Sequence, residues 1–262
     1  MQNAGIAALG LNWRYLAFDV APDHLHAAIE GAKRMGFVGL NLTVPHKLLA
    51  VEMVDALDET AKTWGAVNTI RFEESADGQI IARGFNTDAD AIVRSLREDL
   101  GMELRGAKVL LLGAGGAGRT AALRLATENL SELYLVNRTT AKAAAVAEEI
   151  KSRRSNLRIQ VGYPTGEIDL VLNATSLGLK PEDALPFDAQ QFALKQARAA
   201  YDMIYRPAET RFLRAAKAAG CRTANGLGML LYQGAKALEI WSGQTAPVAV
   251  MRTALEQNIY GH

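Results

Sequence analysis

Near the middle of the chain, Val109-Leu110-Leu111-Leu112 runs without a break into Gly113-Ala114-Gly115-Gly116-Ala117-Gly118. A short apolar run of this kind reads as a strand buried on both faces. Gly113, Gly115 and Gly118 fall on the spacing G-x-G-x-x-G, between a strand read at 108–112 and a helix read at 116–128. In a strand–turn–helix unit the first glycine permits the tight turn. The second admits a pyrophosphate to the backbone, and the third lets helix and strand pack closely. The helix start adds free N–H groups and the positive end of its dipole. The competing reading is a glycine-rich turn with no ligand. The favoured one is a Rossmann-type α/β unit that binds a dinucleotide.

The next strand, at 133–136, ends on Asn137-Arg138-Thr139. A site for NAD places Asp or Glu at this point to hold the ribose 2′-hydroxyl. Here the position is neutral, and Arg138 follows it. Arg138 offers a bidentate contact to a 2′-phosphate, and Lys142, a turn further on, offers a second charge. The cofactor expected is therefore NADP rather than NAD. The plainer alternative is that Arg138 is a surface residue at a helix start.

The glycine loop lies mid-chain, so another lobe must precede it. Strands are expected at 14–20, 37–42, 66–73 and 80–84, the last two joined at Asp77-Gly78. Helices are expected at 22–35, 47–54, 58–64 and 88–100, the last ending at Gly101. After the loop, strands at 157–161, 170–172, 199–203 and 222–224 alternate with helices at 139–151 and 209–219. Helices at 228–241 and 247–258 close the chain. Alternation of this kind predicts parallel sheets with helices on both faces. The expected organisation is two α/β lobes: a substrate-binding domain at 1–87, completed by 227–262, and a dinucleotide-binding domain at 88–226. The closing helices return to the first lobe.

The chain of 262 residues, 49% hydrophobic, suffices for such a core without disulfides or metals. Its 29 Lys and Arg balance 28 Asp and Glu, which argues against nucleic acid as a partner. Cys221 is the single cysteine, so no intramolecular disulfide forms. No apolar run is long enough to span a membrane. The apolar stretch at 4–11 lacks the basic region of a secretory signal. A cytoplasmic protein is expected. His24 and His26 face different sides of a helix, His46 sits beside Lys47 and His262 is terminal, so no metal site is expected.

Three polar clusters stand where strands give way to helices or turns: Asn41-Leu42-Thr43-Val44-Pro45-His46-Lys47, Ala66-Val67-Asn68-Thr69 and Gly84-Phe85-Asn86-Thr87-Asp88. Carboxyl ends of strands are where open α/β sheets place ligands. Each cluster alone has a plain reading. Asn68 suits a turn, Asp88 a helix cap, and Lys47 a solvated surface. Together, and with Asn173-Ala174-Thr175-Ser176, Tyr201-Asp202-Met203-Ile204-Tyr205 and Asn225-Gly226-Leu227-Gly228-Met229-Leu230 followed by Gln233, they resemble the shikimate dehydrogenase family. The matching stretches arise in family order over nearly the whole chain.

The resemblance implies reversible, NADPH-dependent reduction of 3-dehydroshikimate to shikimate, a step toward chorismate and the aromatic amino acids. It implies Lys47 and Asp88 as the catalytic pair. Thr43, Asn68 and Gln233 match residues that hold substrate hydroxyls, and Tyr205 lies beside the ring. Gly113, Ala114, Gly115, Gly116, Ala117, Gly118, Asn137, Arg138 and Thr139 match cofactor contacts. Thr175, Ser176, Met203 and Gly226 match the nicotinamide side. Lys142 stands where many members carry Arg. Family members begin with a strand and a Ser-x-Ser-Pro segment that grips the substrate carboxylate; the chain opens instead on Met1-Gln2-Asn3, expected within the first helix, so that strand and clamp are expected to be missing. The alternatives are a quinate/shikimate dehydrogenase of the same family, a non-catalytic dinucleotide-binding protein, and another two-lobe enzyme such as a folate dehydrogenase. A small-molecule substrate is expected, with no nucleic acid or membrane partner, in a monomer or homodimer.

Overall fold

The computed structural model describes residues 1–154 and 156–261; His262 lies outside them. From the amino terminus the chain forms α1 (Gln2–Ala8), α2 (Leu25–Arg34), β1 (Gly39–Asn41), α3 (His46–Leu49), β2 (Ala56–Leu57), α4 (Glu59–Trp64), β3 (Thr69–Glu74) and β4 (Ile80–Phe85). It continues through α5 (Asp88–Leu100), β5 (Lys108–Leu112), α6 (Gly116–Leu125), β6 (Glu132–Val136), α7 (Thr140–Arg153), β7 (Arg158–Val161) and β8 (Ile168–Asn173). Then come β9 (Ala197–Asp202), α8 (Arg211–Ala218), β10 (Arg222–Asn225), α9 (Leu227–Ser242) and α10 (Val248–Tyr260). The chain divides into two compact units, Met1–Ala89 with the segment from Leu231 onward, and Asp90–Leu230. It passes from one to the other within α5 and returns within α9.

In the first unit the sheet order is β1-β3-β4-β2. β3 is antiparallel to both β1 and β4, and only β2 runs parallel to β4. The antiparallel pair is the one expected from the turn at Asp77-Gly78, and it makes this sheet mixed where alternation alone predicts a parallel one. The cause is local: Gly78, at φ +81°, turns the chain straight back and makes β3 and β4 a hairpin. Leu25, Ile29 and Ala32 form the buried apolar stripe of α2, and Leu25 and Ile29 join a core with Val67, Ile70 and Ala82. The carboxyl-terminal helices return to this unit. Trp241 on α9 donates from Nε1 to the Ile70 carbonyl at 2.9 Å. A Cβ on Gly39 would stand 2.2 Å from both of those atoms, so the close approach admits only glycine.

Residues 14–20 form no strand, contrary to the sequence expectation. Tyr15, Phe18 and Val20 supply β-propensity, but a strand exists only with a neighbour to complete its ladder. The Asn3 side chain takes the backbone of Tyr15 instead, accepting from its N–H at 2.8 Å and donating to its carbonyl at 3.0 Å.

The second unit is a six-stranded sheet ordered β10-β9-β8-β5-β6-β7, with every neighbouring pair parallel. The central strands β5 and β8 are buried almost throughout, as the apolar runs 109–112 and 170–172 within them require. The edge strand β7 is largely exposed and alternates polar residues, which discourages further pairing. From β5 the chain builds outward through β6 and β7, then crosses to β8 on the other side. The order reverses at β5 and β8, so the ligand position of this sheet lies at their carboxyl ends.

Candidate active site

In the first unit, Lys47 lies on the short helix α3 and Asp88 is the first residue of α5. Lys47 Nζ donates to Asp88 Oδ2 at 2.8 Å, and both side chains are mostly buried, at 27% and 15% exposure. An ion pair this far removed from water is screened little by solvent or salt. The backbone fixes both partners. Val67 N–H donates to the Lys47 carbonyl at 2.8 Å, tying α3 to the turn before Asn68. Asn86 Oδ1 accepts from the N–H groups of Asp88 and Ala89 at 3.1 and 3.2 Å, which caps α5. Its Nδ2 donates to the Ala66 carbonyl at 3.1 Å, and its own N–H donates to Thr60 Oγ1 at 2.9 Å.

Asn68, the residue after Val67, points inward and is 1% exposed. Its Nδ2 donates to Thr87 Oγ1 at 3.0 Å, and its Oδ1 accepts from the Thr87 N–H at 2.9 Å and from Thr69 Oγ1 at 3.1 Å. Asn41 extends the network, donating to Thr69 Oγ1 at 3.0 Å and accepting from the Tyr15 hydroxyl at 3.0 Å. Burial raises the Tyr15 hydroxyl above the ordinary tyrosine range. Thr43 is exposed on the turn between β1 and α3, and Gln233 is half-buried on α9. Sequence reasoning passed over Asn86 as a cap and Thr87 as the partner of Asn68. An Asn two residues before a helical Asp was the available signal for the first.

In the second unit the glycine loop has the form its spacing predicts. Gly113 adopts φ +107°. A Cβ on Gly118 would meet the Gly113 carbonyl oxygen at 2.2 Å, so helix and strand touch there. A Cβ on Gly115 or Gly116 would meet nothing within 4 Å, and with Ala117 these residues are exposed. The space above the loop thus fits a pyrophosphate on the amino end of α6. Asn137 braces the loop: its Oδ1 accepts from Ala114 N–H at 2.9 Å and its Nδ2 donates to the Thr139 carbonyl at 2.9 Å. Arg138, Thr139 and Lys142 are exposed at the end of β6 and the start of α7. Neither cationic side chain has a partner among the described residues, whereas Arg119 is held by Glu149 at 2.6 and 2.8 Å. Thr175 and Ser176 follow β8, Met203 and Tyr205 follow β9, and Gly226 follows β10. A Cβ on Gly226 would lie 2.1 Å from the Met203 carbonyl oxygen, so these two loops are in contact.

Sheet order, switch point and glycine loop define a Rossmann-type dinucleotide-binding protein joined to a smaller mixed α/β unit. Three family models match it: the shikimate dehydrogenase substrate binding domain over residues 1–70, shikimate/quinate 5-dehydrogenase over 95–178, and the shikimate 5'-dehydrogenase C-terminal domain over 226–256. The chain is 42% identical to the NADP(+) shikimate dehydrogenase of Methanopyrus kandleri, over 99% of this chain and 90% of the relative. The shikimate 5-dehydrogenase of Thermus thermophilus, solved in complex with NADP(H) and shikimate, superposes with a TM-score of 0.82 at 36% identity, covering 97% of this chain and 92% of that one. A 5-ketofructose reductase of Gluconobacter superposes with a TM-score of 0.84 at 37% identity, over 98% and 92% of the two chains. The chain belongs to the shikimate dehydrogenase family.

Proposed function

We propose that the chain is an NADP-dependent shikimate dehydrogenase, which interconverts 3-dehydroshikimate and shikimate in the pathway to chorismate. The observation that carries this reading is the Lys47–Asp88 pair at 2.8 Å, in the unit whose residues 1–70 match a substrate-binding domain. When bound, NADPH supplies the hydride. As a ketone is reduced, negative charge grows on its oxygen. A lysine ammonium placed there stabilises that charge and gives the proton, and in the reverse direction it takes the proton back. Asp88 aims the Lys47 Nζ, and Asn86 aims Asp88 through the first turn of α5. Thr43 and Gln233 hold ring hydroxyls, and the family resemblance adds Tyr205 as a neighbour of the ring. Asn68 acts at the same ring with the Nδ2 that bonds Thr87 in the structure.

For the cofactor, the open face of Gly113 to Gly118 fits the pyrophosphate, and Asn137 and Thr139 flank the adenosine ribose. Arg138 and Lys142, exposed and without a partner among the described residues, suit a 2′-phosphate. Thr175, Ser176, Met203 and Gly226 line the nicotinamide side. Near-neutral charge supports a small-molecule substrate rather than a nucleic acid, and no helix among the described residues is long and apolar enough to cross a membrane. We place the enzyme in the cytoplasm as a monomer or homodimer. The test is NADP+ reduction with shikimate, quinate and fructose, the alcohol counterparts of the ketones in question, run beside NAD+. Shikimate with NADP+ should give the highest kcat/KM; preference for another pair would replace this reading.

A further inference from the structure

Asp202, the last residue of β9, is completely buried, and no step above uses it. Its Oδ1 accepts from Asn173 Nδ2 at 3.0 Å and from the Ile204 N–H at 3.0 Å. Its Oδ2 accepts from Thr210 Oγ1 at 2.6 Å, and that hydroxyl accepts in turn from Leu213 N–H at the start of α8. Asn173, equally buried at the end of β8, passes the constraint on. Its Oδ1 accepts from Thr175 N–H at 3.0 Å and Thr175 Oγ1 at 2.7 Å, and its Nδ2 also donates to the Leu177 carbonyl at 3.1 Å. Its own carbonyl accepts from the Met203 N–H at 2.9 Å. One buried carboxylate thus fixes two loops, one directly and one through a single amide.

Those loops stand at a defined place. The glycine loop ends β5 and the exposed cations Arg138 and Lys142 follow β6, so the adenosine half of a dinucleotide occupies the β5–β6 side. The other half must lie over the ends of β8 and β9. A Cβ on Gly113 would stand 3.0 Å from the Ala174 backbone and from Thr175, so the β8 loop rests directly on the glycine loop. We propose that Asp202 is a positioning residue, which acts through Asn173 and the Ile204 amide to hold the Thr175–Leu177 and Met203–Ile204 segments in register against the nicotinamide half of the cofactor. This rests on the NADP reading above. An uncompensated buried carboxylate is expensive, and three hydrogen bonds meet that cost only while both loops keep this arrangement.

The experiment compares wild type, Asn173→Ser, Asp202→Ala and Asp202→Asn. Backbone hydrogen exchange is followed in the unliganded protein, binding of 2′,5′-ADP is titrated, and turnover is measured at saturating NADP+ and shikimate. Asn173→Ser breaks the link to the Thr175 loop but leaves the Thr210 and Ile204 bonds, so it decides the matter if Asp202→Ala does not fold. Exchange should quicken at 173–178 and 202–205 in Asp202→Ala and at 173–178 in Asn173→Ser, and stay unchanged at 132–142 in both. The kcat should fall about tenfold or more from misplacement alone, with 2′,5′-ADP affinity unchanged because that ligand lacks the nicotinamide half. Asp202→Asn keeps the Oδ1 acceptor and should behave like wild type. Unchanged exchange in both loops overturns the inference, as does loosened exchange with undiminished kcat, or parallel loss of 2′,5′-ADP binding. A wild type that binds neither 2′,5′-ADP nor NADP+ removes the NADP reading itself and the inference with it.

Discussion

Lys47 and Asp88 meet at 2.8 Å although 41 positions separate them in the chain. Neither partner depends on the other for its backbone placement, since the Val67 N–H holds Lys47 and the Asn86 side chain holds Asp88. Replacing one partner should therefore leave the frame intact. Lys47→Met should lower kcat by about 10²–10⁴-fold, the range for a lost general acid or base. NADP+ affinity, measured by calorimetry, should not change, because the cofactor loop belongs to the other unit. Equal loss of kcat and cofactor affinity would contradict the assignment.

Asn86→Ala removes the cap of α5 and leaves the Ala66 carbonyl without its amide donor. A loss of about 1–2 kcal/mol in urea unfolding is expected from the cap. The kcat should fall as Asp88 drifts. Asn86→Asp retains the capping acceptor but sets a carboxylate oxygen against the buried Ala66 carbonyl, so it should recover only part of the stability.

The glycines of the loop should separate by readout. Gly118→Ala places a methyl 2.2 Å from the Gly113 carbonyl oxygen and should lower Tm whether or not nucleotide is present. Gly115→Ala meets open space, so Tm of the free protein should hold while NADP+ affinity falls. A Gly115→Ala protein that binds NADP+ normally would show that the pyrophosphate lies elsewhere.

Arg138→Ala removes an exposed cation that has no protein partner among the described residues, so stability should stay unchanged. A lost charge-assisted contact costs about 1.5–3 kcal/mol, which corresponds to about 10–100-fold in KM for NADP+. The KM for NAD+ should move far less. Equal effects on both cofactors would place the 2′-phosphate away from β6.

Burial holds the Asp202 carboxyl above its usual value near 3.8, against the hydrogen bonds from Thr210, Ile204 and Asn173. Between its unfolded and folded pKa the native state binds more protons, so this group's contribution is full below pH about 3.8 and is lost as pH rises through the higher folded value. The amide that Asp202→Asn introduces does not titrate. The stability of that variant relative to wild type should therefore rise with pH from the acid side and level off above the folded pKa. A difference independent of pH would contradict the burial argument.

Regular elements were legible where the pattern is long or the punctuation strong. α5 and β5 fall on the residues that periodicity and Gly101 predict, because each carries its own signal. β2 has only Ala56 and Leu57, too few for any period, and it exists because β4 lies beside it. Residues 14–20 fail for the reverse reason: strand-favouring residues such as Tyr15, Phe18 and Val20 are present, and among the described residues no strand pairs with them. Direction within the first sheet followed from one glycine turn rather than from strand composition.

In the site, Gly113 to Gly118 was legible because each glycine answers a local steric demand. The inward orientation of Asn68 was not, since its partner Thr87 lies 19 residues on and both look like ordinary turn residues. The Asp202–Asn173 pair was legible only as two polar residues at strand ends. Nothing in the sequence shows that both are buried or that they meet across 29 residues.

The central claim is that Lys47 serves proton transfer and charge stabilisation in an NADP-dependent oxidation of shikimate. The most direct measurement is the steady-state rate of NADPH formation from shikimate by wild type and Lys47→Met, each with its NADP+ affinity determined on the same preparation. The account predicts turnover by the wild type, and a variant that binds NADP+ equally well while turning over at least about 10²-fold more slowly. Undiminished turnover by Lys47→Met, or a wild type that binds NADP+ and does not oxidise shikimate, would contradict it.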